Sequence, residues 1–284
     1  SVAVPRAPAW ARMVHVNTWL HRRFVPAHLP VVATMHLCVH DPALAPYKTR
    51  AQALYHRCWV KPLEAWVLKR ASKVAAVSHY TASRTQSAFG CQPIHTIVNG
   101  VPLSVGMATR AAREPDQPFR LLYVGNWLQR KGVDLLGPIM RQLGQGFELR
   151  YTADARGAHE RATTLLPANC INIGRLSRQQ VSQAYRQADA LLFPSRLEGL
   201  PLTVLEAMMA GLPAIVSDAA SLPEVVIHGV NGCVCPADDV SAFAAAARGM
   251  AADDAALARM SANAGKMARE RFSADTMVHA YASL

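Results

Sequence analysis

The segment from Ala190 to Pro213, Ala-Leu-Leu-Phe-Pro-Ser-Arg-Leu-Glu-Gly-Leu-Pro-Leu-Thr-Val-Leu-Glu-Ala-Met-Met-Ala-Gly-Leu-Pro, constrains this chain more than any other. Its opening run Ala190–Pro194 is short, apolar and bounded by turn residues, which predicts a buried strand. Pro201 suits a first helical position, where its missing N–H is no loss, and Gly211 followed by Pro213 stops the helix. A strand feeding a helix that stops sharply before the next apolar run is the unit of an α/β fold. Glu198 then lies in a loop at the carboxyl end of a strand, where open α/β sheets bind ligands. Glu206, eight positions on, lies within the helix. Amide groups at the helix start favour an anion between the two carboxylates. That arrangement suits a nucleotide sugar, with hydroxyls at each end and a diphosphate between.

The same alternation runs through the whole chain, so the expectation is α/β with mainly parallel sheets. In the first part, Met13–Val16, Pro30–Thr34, Lys73–Val77 and Thr96–Val98 read as short buried strands, and Tyr47–Arg70 as helix with a break at Pro62. Asn99-Gly100 marks a turn, and Val101–Pro118, rich in Pro, Arg and small residues, reads as a linker. A second α/β unit follows from Phe119, and then Ala-rich helices. The division expected is an amino-terminal unit over 1–103 and a carboxyl-terminal unit over 104–284.

Further motifs stand in order around the Glu pair: Leu121-Leu-Tyr-Val-Gly125 with Lys131-Gly132, Ile215-Val-Ser-Asp218, Leu222-Pro-Glu-Val-Val226 and Gly229-Val-Asn-Gly232. Together these resemble the donor domain of family-four retaining glycosyltransferases of GT-B fold, whose mark is a Glu, seven residues, then Glu. The resemblance implies two Rossmann-like domains, the first incomplete. The opening strands and glycine-rich loop of that domain have no counterpart here, so a truncation or fragment is expected. It also implies that the final helix packs back on the first domain.

By the same resemblance, Glu206 would hold ribose hydroxyls and Glu198 the donor hexose. Lys131 would face the diphosphate as the nucleotide leaves. Asn126 replaces the arginine usual after the strand's glycine, and Arg130 is the substitute cation. Arg175 and Leu176 would contact the base, while Ser195, Gly199 and Leu200 flank Glu198 as further donor contacts. The loop before Leu222 usually begins with two glycines; here it has Ala220-Ser221. His36, in Thr34-Met-His36, resembles the active-site histidine near the reacting sugar and acceptor. The family needs no metal or other cofactor. Its donor is a nucleoside diphosphate sugar, and its acceptor a glycan or lipid-linked hydroxyl.

Composition bears on alternatives. From Ser1 to Arg110 there are 13 Lys+Arg against 2 Asp+Glu, and from Ala111 onward 17 against 17. The excess charge therefore belongs entirely to the first part. No nucleic-acid motif accompanies it, which points away from nucleic acid and toward an anionic membrane face, an acidic acceptor or simply a solvated basic surface. Six scattered cysteines suit a reduced, cytoplasmic protein, and the basic first part a peripheral place on the membrane. His36, Cys38 and His40 would share one face if on a strand and are zinc-type ligands, though no second motif completes a site. The competing function is a degenerate, non-catalytic nucleotide-sugar binder.

Overall fold

The computed structural model describes residues 8–90, 93–103, 117–153 and 166–284. Most of the expected linker, residues 104–116, lies outside them. The chain divides into two compact units, Ser1–Val98 with His279–Leu284, and Asn99–Val278.

The first unit is built on a parallel sheet of four strands, β1 (Val14–Asn17), β2 (Val31–Met35), β3 (Lys73–Ala76) and β4 (Ile94–Thr96), adjacent in chain order. The last lies two residues earlier than the apolar run Thr96–Val98 suggests, because Ala76 pairs with Thr96 and ends the ladder there. β2 is buried along its full length, as expected of a parallel strand covered on both faces. Its core neighbours include Val16, Val67, Leu68 and Val74. Helices α1 (Arg50–Tyr55) and α2 (Lys61–Arg70) are joined by a π-helical turn, His56–Val60. The break falls before Pro62, in the first turn of α2, where a missing N–H goes unpunished. Helix α3 (His79–Phe89) begins at a Ser78 cap and ends at Gly90 in the left-handed region.

The second unit carries six parallel strands: β5 (Phe119–Tyr123), β6 (Phe147–Tyr151), β7 (Cys170–Asn172), β8 (Ala190–Phe193), β9 (Ala214–Ser217) and β10 (Gly232–Cys235). Their order is β10-β9-β8-β5-β6-β7. β5, β8 and β9 are almost wholly buried, and each fully buried Leu, Val or Phe side chain contributes roughly 1.5–3 kcal/mol. The order runs outward from β5 in one direction and from β8 in the other. The carboxyl ends of these two strands therefore form the switch point of the sheet, where open α/β sheets place a ligand crevice.

Helices α4 (Val133–Leu143), α5 (Arg178–Gln187), α6 (Leu202–Met209), α7 (Leu222–Val225), α8 (Val240–Ala252), α9 (Asp254–Arg271) and α10 (Ala274–Ala282) complete the described chain. Pro201 caps α6 from outside instead of opening it, since its ψ of 103° is extended. Gly211, at φ +73°, ends α6 as its sequence suggests.

Candidate functional site

The crevice at the switch point is walled by the loop after β5 and the loop after β8, and several bonds tie these loops together. The amide of Arg196 donates to the Arg130 carbonyl at 2.9 Å, and the Ser195 hydroxyl to the same oxygen at 3.3 Å. In return, the Arg130 guanidinium donates to the Leu197 carbonyl at 3.2 Å. Arg196 also reaches the Gln129 carbonyl and both oxygens of Asp134. These last bonds, with Asp238 beyond, push the Arg196 guanidinium still further above its ordinary value. Gly132 makes the approach possible: it sits at φ +72°, and a Cβ there would meet the Pro194 carbonyl oxygen at 2.0 Å.

The result is that Lys131 Nζ stands 2.5 Å from Glu198 Oε1, and Ser195 Oγ donates to the same oxygen at 2.6 Å. Glu198 is 6 % exposed and Ser195 fully buried. A carboxylate this enclosed needs such partners, because an unpaired buried charge is costly. Ser221, also buried, donates to the Glu198 carbonyl at 3.2 Å and so fixes the backbone at this residue. Ala220, beside it, has φ +53°, a conformation suited to the glycine that it replaces. Beneath the loop, Tyr123 donates to the Asn126 carbonyl at 3.0 Å. Burial, then the nearby Glu198 charge, pushes its phenol far up, so it remains a donor.

Two cavities of the second unit take in other residues of the candidate site, and neither is lined by Lys131, Ser195 or Glu198. One, of about 440 Å³, is lined by Gly125, Asn126, Trp127, Thr152, Arg175 and Leu176 among others. The other, of about 680 Å³, is lined by Leu176, Arg178, Tyr185, Arg186 and Glu206 among others. Leu176 and Val181 line both. Ser177, next to Leu176, caps α5 through a reciprocal bond with Gln180, which fixes where this wall begins. In the larger cavity, the buried Tyr185 donates to Glu206 Oε2 at 3.1 Å. Burial raises the Glu206 carboxyl above its usual value, opposed by the Tyr185 bond and by Arg178.

Of the residues singled out in the sequence, Lys131, Ser195 and Glu198 are in direct contact, and Arg130 braces them. Asn126, Arg175 and Leu176 share one cavity, and Leu176 and Glu206 the other. Gly199 and Leu200 are buried in the loop and line neither of these cavities. His36 lies in the first unit, just past the end of β2, and is exposed. Partial desolvation of the ring, then the neighbouring His15, lowers its basicity. His15 Nε2 is 2.7 Å from Thr34 Oγ1, which is 2.8 Å from the Tyr281 hydroxyl.

The expectation that His36, Cys38 and His40 share a strand face is corrected, because β2 ends at Met35 and all three lie in the loop beyond it. Cys38 donates to the Arg84 carbonyl, and His40 pairs with the buried Glu64 at 2.8 Å. Among the described residues, no group of three His, Cys, Asp or Glu is placed to hold a metal. Tyr185 and Trp127 carried no sequence signal. An aromatic at helical spacing reads as core until its polar atom is seen to have a job, or, for the buried Trp127 Nε1, to have no partner.

Residues 108–267 match the profile described as glycosyl transferases group 1, and residues 5–105 that of glycosyltransferase family 4. Glycogen synthase of Mycobacterium tuberculosis is 28 % identical over 93 % of this chain, which spans 64 % of that relative's length. Sucrose-phosphate synthase from Thermosynechococcus elongatus superposes with a TM-score of 0.80 at 21 % identity, covering 96 % of this chain and 72 % of that one. HepE from Anabaena, solved in complex with UDP and glucose, does so at 0.73 and 19 % identity, covering 90 % and 71 %. The fold, α/β with parallel sheets, matches that of GT-B glycosyltransferases such as this sucrose-phosphate synthase.

Proposed function

Because the chain belongs to the glycosyl transferases group 1 family, we propose that it is a retaining hexosyltransferase using a nucleoside diphosphate sugar. The observation that carries this reading is the Lys131–Glu198–Ser195 contact at the switch-point crevice, with Glu206 lining a separate cavity of the same unit. HepE, solved with UDP and glucose, supports a uridine nucleotide among the candidate donors.

In this reading Arg175 and Leu176 flank the base, and Glu206 accepts the ribose hydroxyl protons. Its Oε2 is held by Tyr185, which leaves Oε1 for the ligand. Asn126 and Arg130 line the path of the diphosphate. Lys131 neutralises charge on the leaving nucleotide, a prepositioned cation of the kind that stabilises such transition states. Glu198, with Ser195, Gly199 and Leu200 around it, orients the hexose hydroxyls; charge-assisted bonds suit that work. His36 hydrogen-bonds the donor sugar or the acceptor. The bond from the anomeric carbon to the phosphate oxygen breaks, and the acceptor hydroxyl bonds to that carbon on the same face. The acceptor proton passes to the leaving phosphate, so no protein base and no metal is required. The acceptor is a hydroxyl of a glycan or lipid-linked precursor at the cytoplasmic membrane face.

Thermal unfolding with UDP, GDP and ADP tests the donor site. Saturation at about 100-fold over the dissociation constant is worth roughly 2.7 kcal/mol, which would raise the unfolding temperature by several degrees. Glu206→Ala should remove the shift. A shift with one nucleotide, followed by transfer from its sugar to an α-linked product, establishes the function. Nucleotide binding without transfer or hydrolysis of any sugar would favour a degenerate binder. No shift at all would sink the donor-site assignment.

A further inference from the structure

The first unit has an unusual charge distribution. Its sequence holds only two acidic side chains, Asp41 and Glu64, and both are buried. Asp41 accepts from Tyr80 and pairs with Arg84. Glu64 accepts from Thr18 at 3.0 Å, Trp19 Nε1 at 2.8 Å and His40 at 2.8 Å. No acidic side chain is therefore left on this unit's surface, while Arg22, Arg23, Arg50, Arg57, Lys61 and Lys69 stand around it.

One face of the same unit exposes aromatic side chains. Helix α1 buries none of its residues, and the π-helical turn after it buries only Val60. Tyr55 is 51 % exposed, Trp59 60 % and Trp66 37 %. With Leu63 they recur at helical spacing, so they form one stripe opposite Val60, Glu64, Val67 and Leu68, which face inward. Beside the stripe lies a cleft of about 400 Å³ lined by Trp19, His21, Arg23, Tyr55, Trp59 and Leu63, with the buried Val60 also on its wall. Trp19 turns its one polar atom inward to Glu64, so the exposed part of its ring is hydrocarbon.

We propose that this face, centred on Tyr55, Trp59 and the Trp19 cleft, docks the first unit on an anionic lipid bilayer. Exposed Trp and Tyr prefer the depth of the lipid headgroups, where an apolar ring body meets a wet rim. Cations around exposed aromatic rings are attracted by anionic lipid. Charge opposes pairing of this face with the same face of a second copy, since two cationic faces would repel. A soluble polyanion would satisfy the arginines but offer nothing to the tryptophans. The inference does not rest on the donor site; vesicle and nucleotide binding are read in separate assays.

The test is sedimentation of the full chain with vesicles of phosphatidylcholine alone or mixed equally with phosphatidylglycerol, with indole quenching by acyl-chain-brominated lipid. Binding should be tighter to the anionic vesicles by about tenfold or more, weaken with salt, and carry bromine quenching. Tyr55→Ser with Trp59→Ser should lower vesicle affinity about tenfold and reduce quenching, with far-UV circular dichroism unchanged. Arg57→Gln with Lys61→Gln should lower only the anionic preference. Absence of vesicle binding would overturn the proposal. So would anionic binding without quenching, binding indifferent to the aromatic substitutions, or capture by dextran sulfate with no affinity for vesicles.

Discussion

Lys131 and Glu198 are 67 positions apart in the chain, yet their charged atoms meet at 2.5 Å on opposite walls of the switch-point crevice. Each is enclosed, at 15 % and 8 % side-chain exposure. Neither charge tolerates loss of the other well. Removing one partner of a buried pair costs about 3 kcal/mol, because the remaining charge is stranded. Lys131→Ala and Glu198→Gln should each destabilise the fold and abolish transfer, and the double variant should lose much less stability than the two singles combined. Urea melts of all four proteins check this; additive losses would mean that the pair is not coupled.

Gly132 should be intolerant of any side chain. Its positive φ alone disfavours an L residue by about 1–2 kcal/mol, and overpacking against Pro194 adds a cost of about 1–3 kcal/mol. Gly132→Ala should therefore lower stability by about 2–5 kcal/mol and weaken nucleotide binding, because the turn carrying Lys131 must retreat. A Gly132→Ala protein with unchanged melting and affinity would refute the close approach.

Ala220 offers the opposite case. It occupies the left-handed region at φ +53° without a glycine's freedom. Ala220→Gly should stabilise by about 1 kcal/mol, seen as a rise of about 2–4 °C in melting temperature. If the loop is relaxed in solution, the substitution will instead be neutral or destabilising, since glycine costs more entropy on folding.

Tyr185 should act through Glu206. With its hydroxyl gone, Tyr185→Phe leaves Glu206 Oε2 without its donor and free to turn. The expected outcome is roughly tenfold weaker binding of a ribonucleotide, corresponding to the roughly 1.5 kcal/mol of one hydrogen bond to a charged group. Binding of the 2′-deoxynucleotide should change far less. Isothermal titration of both ligands separates this from general damage, which would weaken the two alike.

Two pH effects have opposite signs. The His15 and His36 rings are pushed below their ordinary value, mainly by burial. Their contribution to stability is fully present above the unfolded value of 6.5 and is lost as pH falls through the lowered folded value. Glu206 is raised, so its penalty is absent below 4.5 and grows as pH rises through its folded value. Glu206→Gln should thus melt higher than the natural chain at neutral pH, with the gain vanishing in acid, while losing nucleotide binding. A gain that persists in acid would assign the effect to packing.

Much of the site was legible because its determinants are local. An apolar run bounded by Pro and Gly makes β8 wherever it occurs, and Gly211 ends α6 for reasons within its own turn. The order of the motifs from Leu121 to Gly232 marked the loops that gather Lys131, Ser195 and Glu198. The break expected at Pro62 is present, though as a π-helical turn. The alternation of His36, Cys38 and His40 misled, because nothing local revealed that β2 stops at Met35; that end is set by pairing with Lys73–Ala76.

The sequence by itself determined the α/β class, the position of the Glu pair and the concentration of positive charge in the first part. Periodicity, turn chemistry and composition are properties of neighbouring residues or of sums. Only the tertiary structure decided that Lys131 meets Glu198, that Tyr185 holds Glu206, and that Ala220 adopts a glycine's conformation. It alone hides Asp41 and Glu64, leaving the first unit's surface without an acidic side chain. These relationships depend on which strands pair and in what register, and parallel pairing joins residues whose separation in sequence carries no trace of their contact.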